Sequence, residues 1–125
     1  MKRTHKILLI IGGVLSALAV DHTFSTRPLP FEEAAWKAGE QAKFDSSAPR
    51  LRMADGLIAS GALKGQTKPN VLTMLGPPSQ TDKFRDYNLV YWLGAERGSI
   101  SIDSEWLVIS FDKDQRVSEV LLVRD

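Results

Sequence analysis

Cysteine is absent from the 125 residues. With it go disulfides, thiolate metal sites, a cysteine nucleophile and any lipid-bearing N-terminal Cys. Histidine is almost absent: His5 and His22 both lie in the first 22 residues, so imidazole acid–base chemistry and His-based zinc sites are excluded from the rest of the chain. A surplus of positive charge is missing as well. Sixteen Lys and Arg stand against fifteen Asp and Glu, and three of those cations, Lys2, Arg3 and Lys6, precede the first carboxylate, Asp21. The chain beyond residue 20 is therefore mildly acidic and lacks the cationic cluster that neutralises phosphates, so nucleic acid is not an expected partner. What is present, 43% hydrophobic and 25% charged residues, is the composition of one ordinary globular domain.

The first six residues are cationic, and residues 7–20 (ILLIIGGVLSALAV) carry no charge, which is the layout of an export signal. As a helix this run covers about 21 Å, short of the roughly 30 Å of a bilayer's hydrocarbon. It fits a signal-peptide core or, with tilt or local thinning, an uncleaved anchor. Ala17-Leu18-Ala19 supplies a small-x-small site and predicts cleavage after Ala19. Adjacent Gly12 and Gly13 argue against a packed helix of a soluble protein. Either outcome places residue 21 onward outside the cytoplasm, in the periplasm or tethered on the non-cytoplasmic side. The expected organisation is thus a signal peptide or signal anchor over 1–20, a linker over 21–30 with two prolines, and one domain over 31–125.

Three helices are expected next. Residues 31–44 (FEEAAWKAGEQAKF) place Phe31, Ala34, Ala35, Ala38 and Ala42 on one stripe, with Glu32 and Glu33 in the first turn, where the helix dipole favours anions. Trp36 falls beside the stripe. Ser46 or Ser47 is placed to cap a second helix starting near Pro49, with Leu51, Ala54, Leu57 and Ile58 as its buried face and Gly61 as its end. Residues 64–78 (KGQTKPNVLTMLGPP) specify a short third helix at both ends: Thr67 caps it, Pro69 sits in its first turn, Val71, Leu72, Met74 and Leu75 form its stripe, and Gly76 with Pro77-Pro78 stops it.

From Tyr87 the period changes to two. Residues 88–93, 106–111 and 117–123 alternate as strands, the last two joined by a tight turn over Asp112–Arg116. Helices followed by a three-stranded antiparallel meander make an α+β fold. Both faces of the sheet carry large apolar residues. The helices ending at Gly61 and Gly76 are expected on one. The other, with Val90, Trp92, Trp106, Val108, Val120 and Leu122, is covered either by the first helix with Trp36 or by a partner, in which case it is a binding face.

Catalytic patterns are weak. Asp103, Glu105, Asp112 and Asp114 are the one carboxylate cluster, but Asp112 and Asp114 flank a turn where Asp serves the backbone. Arg116 stands where a calcium loop needs a third ligand. Lys64 between Gly61 and Gly65 lacks the Gly-Lys-Ser/Thr of a phosphate loop, and no Ser has a His or Lys partner to activate it. No catalytic, cofactor or metal residue is assigned; a non-enzymatic domain without a small-molecule cofactor is expected.

Leu63-x-Gly65-x-Thr67, Val71, Leu75-Gly76-Pro77-Pro78, Tyr91-x-Leu93-Gly94 and Leu107-x-Ile109-x-Phe111-Asp112 together resemble the SmpA/OmlA (BamE-like) family, from Arg50 to Val123. The resemblance implies helices packed on a three-stranded antiparallel sheet, export to the bacterial cell envelope, and action by binding an envelope protein or the membrane surface. The beta-lactamase-inhibitor proteins resemble the same architecture, so a protein inhibitor of a secreted hydrolase is the alternative. The chain departs from the family in having no Cys to acylate, Asn70 where a capping box has Glu or Gln, and Gln115 where the tight turn has Gly.

Overall fold

The computed structural model describes residues 27–41, 48–97 and 103–125; the expected signal or anchor over 1–20 lies outside them. Its elements follow the expected order: α1 (Glu33–Ala38), α2 (Pro49–Ser60), α3 (Lys68–Leu75), β1 (Leu89–Ala95), β2 (Ser104–Phe111) and β3 (Val117–Arg124). The strands form one antiparallel sheet in the order β1-β2-β3, so the α+β meander is the fold.

Local chemistry sets α3 as read from the sequence. Thr67 Oγ1 accepts from the Asn70 N–H at 3.4 Å, Pro69 lies in the first turn, and Gly76 ends the helix with φ +77° while donating to the Leu72 carbonyl. Gly76 is extended in ψ (−171°), so it turns the chain straight out into Pro77-Pro78 instead of making a full left-handed cap. In α2, Pro49 opens the helix and Gly61 closes it in the left-handed region. The residue at the N-cap is Ala48, with no side-chain cap; Ser46 and Ser47 lie outside the described residues. Arg50 and Arg52 are buried alongside Leu51, Met53, Ala54 and Leu57, so this helix is enclosed on more than one side. One reason is the segment before α1. Leu29 N donates to the Arg52 carbonyl at 2.9 Å and Arg52 Nε donates to the Arg27 carbonyl, and Gly56 leaves room for the Leu29 carbonyl, 3.3 Å from where a Cβ would stand. Residues 27–30, expected within a free linker, are laid against α2.

The first helix is shorter than its stripe predicts. It stops at Ala38 and tightens into a turn in which Glu40 N donates to the Lys37 carbonyl and Gln41 N to the Ala38 carbonyl. Gly39, still at helical angles, lets α2 come close, since a Cβ there would lie 2.8 Å from Arg50 Cγ and 2.9 Å from the Trp36 carbonyl. Trp36 does not cover the second face of the sheet. It is fully buried in the main core with Leu51, Leu57, Leu75, Tyr91 and Leu107, on the same side as α2 and α3.

Two bulges adjust the sheet. One falls between Trp92 and Gly94, and Gly94 (φ +150°) lets α2 approach, with Leu51 Cδ2 3.7 Å from a Cβ position there. The other falls between Ser110↔Glu119 and Phe111↔Val117, inserting Ser118 as an extra residue in β3. That insertion reverses the alternation expected of β3. Val120 pairs with Ile109 and Leu122 with Leu107, so both pack against the main core and not beside Trp106, where Val123 and Leu121 stand instead.

Candidate interaction surface

The sheet face away from the helices holds its own small cluster of Val90, Trp106 and Val108. Its cover comes from the α3–β1 connection. Ser79 N donates to the Val90 carbonyl at 2.9 Å and Ser79 Oγ accepts from Trp92 N at 2.8 Å, tying the connection to the outer edge of β1. Beyond it Phe84 lies over Trp106, ring centroids 5.9 Å apart, with Tyr87 beside it. Neither was singled out from the sequence; the signal was there as two aromatics three apart in an otherwise polar loop (TDKFRDYN). Of the six residues expected on this face, Val90, Trp92, Trp106 and Val108 are brought together, and Val120 and Leu122 are not. Leu121 adds an exposed apolar side chain to the same face.

Beside the cluster opens a cleft of about 1230 Å³ between the ends of α1 and α3 and the sheet, lined among others by Lys37, Arg50, Pro77, Ser79, Trp92 and Asp125. Trp106 lines it too, and its buried indole N–H closes no hydrogen bond, although the Asp125 carboxylate is near enough to feel it. Asp125 is held by Lys83 at 2.8 Å and by the Ser104 N–H at 2.7 Å; these two partners lower its pKa to about 2. The rim is therefore charged on both signs, and its walls are aromatic and proline, a mixture suited to contact more than to reaction.

The carboxylates that might have formed a reactive pair are spread out. Asp112 and Asp114 belong to the β2–β3 turn, where Asp112 Oδ1 accepts from the N–H groups of Asp114 and Arg116. Glu105 stands at the other end of β2, locked by Arg97 through four hydrogen bonds. Among the described residues no three of His, Asp and Glu gather to hold a metal. Arg50 is buried with its Nε donating to the Trp36 carbonyl and its Nη1 to Glu40; desolvation lowers its pKa, and Glu40 opposes that. Tyr91, desolvated and pushed up to about 12, keeps its proton and donates it to the Gly76 carbonyl at 2.9 Å. Each of these groups has a structural partner.

Residues 63–120 match the model of the outer membrane protein assembly factor BamE domain. Comparisons with curated proteins and with solved structures gave no match. The matched stretch starts at Leu63, takes in α3, β1 and β2, and ends inside β3, so it contains both elements that frame the cleft on the sheet side. Through this stretch the chain is similar to the BamE (SmpA/OmlA) family, which is non-enzymatic and associated with the outer membrane and its periplasmic side.

Proposed function

We propose that the protein is an exported, non-enzymatic interaction domain of the bacterial cell envelope, on the periplasmic side or tethered there, and that it binds an envelope protein or the membrane surface through Trp92 and the adjoining cleft. The observation that carries this reading is the BamE-domain match over α3 and the meander. The half-buried Trp92 at the cleft wall supports the placement, since aromatic side chains dominate contact energies. Photo-cross-linking tests it. A cross-linkable residue at Trp92 should give adducts in the envelope fraction, and one at Lys113, in the turn at the far end of β2, should not. Equal labelling from both positions rejects this face, and a chain that stays in the cytoplasm rejects export. A stoichiometric soluble complex with a secreted hydrolase would replace the reading with that of an inhibitor.

A further inference from the structure

The two edges of the sheet are treated differently. At β1 the outward groups of Val90 and Trp92 are engaged by Ser79. At β3 the phase of the ladder follows from Asp112 N donating to the Arg116 carbonyl and Asp125 N to the Ser104 carbonyl. Ser110/Glu119, Val108/Leu121 and Trp106/Val123 are then the hydrogen-bonded pairs, which leaves the N–H and C=O of Val120 and Leu122 pointing away from β2. Among the described residues outer cover reaches only Val117, which donates to the Gln66 carbonyl and accepts from Gly65 N. From Val120 to Val123 the edge is four apolar residues with no charge or proline, and among the described residues no strand pairs with it. Edge strands of soluble domains are normally blunted against just such pairing.

We propose that two copies of this chain pair antiparallel through β3, on a two-fold axis at Leu121, making one six-stranded sheet. Three features select the occupant and the register. Outward groups must meet outward groups, which sets Val120 against Leu122 of the second copy and gives a ladder confined to residues 119–123, clear of Gln66. An axis one residue later sets Glu119 against Asp125, two carboxylates, and an axis one residue earlier sets Val123 against Val117, whose edge is already taken. With the axis at Leu121, the two Leu121 side chains face each other across a non-hydrogen-bonded pair, the closest side-chain approach in an antiparallel ladder. This covers the one large apolar side chain that is exposed among the described residues. On the other face, Leu122 of each copy enters a hollow of about 200 Å³ lined by Ile58, Leu63, Val117 and Val120. The surface is independent of the cleft beside Trp92.

The absence of Cys makes the test direct. In the full chain, Leu121→Cys should oxidise to a disulfide-linked dimer, because a non-hydrogen-bonded pair brings Cα atoms to about 4.5 Å, within disulfide range. Lys113→Cys, exposed in the hairpin turn, should not, and Glu119→Cys, set opposite Val123, should give several-fold less. Leu121→Lys should convert a sedimenting dimer to a monomer that stays folded, with an unchanged far-UV circular dichroism spectrum, an outcome that association through the apolar leader cannot produce. A monomeric full chain, cross-linking at Leu121→Cys no greater than at Lys113→Cys, a dimer that survives Leu121→Lys, or an adduct with another protein in place of the dimer would each overturn the proposal.

Discussion

The indole N–H of Trp36 donates to the Leu75 carbonyl at 3.0 Å, across 39 residues of sequence. A side chain from α1 thus satisfies one of the carbonyls that the end of α3 leaves open. The same ring sits under the Arg50 guanidinium at 5.0 Å and meets Tyr91 edge-on at 6.2 Å, so one residue joins all three helices to the sheet. Trp36→Phe keeps most of the ring contact and leaves a buried carbonyl unpaired; it should cost about 2 kcal/mol. Trp36→Ala should cost about 4 kcal/mol through the cavity. Urea denaturation separates the two, and a Phe variant as stable as the wild type would show that the hydrogen bond carries no weight.

The β2–β3 turn places Gln115 at φ +62°, with its N–H on the Asp112 carbonyl at 3.0 Å and both Asp114 and Arg116 donating to the Asp112 side chain. Asp112 holds the turn in which Gln115 is left-handed. Gln115→Gly removes a left-handed strain of about 1 kcal/mol, less part of that for the greater freedom of Gly in the unfolded chain. The melting temperature should rise by a few degrees in a calorimetric scan. A fall would mean that the Gln side chain holds the turn by some other contact.

Glu105 shows how pH should act. Its side chain is 4% exposed; burial alone would raise its pKa, but hydrogen bonds from the Arg97 side chain and backbone outweigh that and hold it below the ordinary 4.5. Arg97, itself raised mainly by Glu105 and then by Asp55, stays charged. Because the folded value is depressed, the pair's contribution is complete above the unfolded pKa and is lost as pH falls through the folded one. Glu105→Gln should therefore cost about 2 kcal/mol at neutral pH and less at an acid pH low enough for the wild-type carboxyl to take up its proton. Urea midpoints at the two pH values check this; an equal gap at both would assign the effect to packing.

What the sequence revealed depended on how local the cause was. The third helix was legible at both ends because Thr67, Pro69 and Gly76 act within a few residues of their own backbone. The strands and the main core face of β1 and β2 were legible because Leu89, Tyr91, Leu107 and Ile109 alternate without interruption. The packing at the end of α1 was not, since what requires Gly39 there is the approach of Arg50, eleven positions away. The faces of Val120 and Leu122 were misread because a bulge adds one residue and no local signal marks Ser118. The burial of Arg50 and Arg52 escaped a hydropathy pattern for the same reason: their partners, the Trp36 and Arg27 carbonyls, come from distant segments. At the interaction surface, Trp92 was in view from the start, whereas the cover over Trp106 required the path of residues 79–88.

That cover rests on a strained residue. Phe84 adopts φ +57° while its ring lies over Trp106 at 5.9 Å and its carbonyl accepts from Tyr87 N at 3.1 Å. A bulky residue in the left-handed region costs about 1 kcal/mol, and here ring burial over Trp106 offsets it. Phe84→Ala removes the ring and keeps the strain; Phe84→Gly removes both. The Gly variant should therefore be more stable than the Ala variant by about 1 kcal/mol, reversing the order found wherever the backbone is extended or helical, since Gly loses more freedom on folding. Melting temperatures of the two variants decide it. An Ala variant equal to or above the Gly variant would mean that residue 84 does not sit in the left-handed region, and the shielding of Trp106 would then have to come from Tyr87 and Val123 alone.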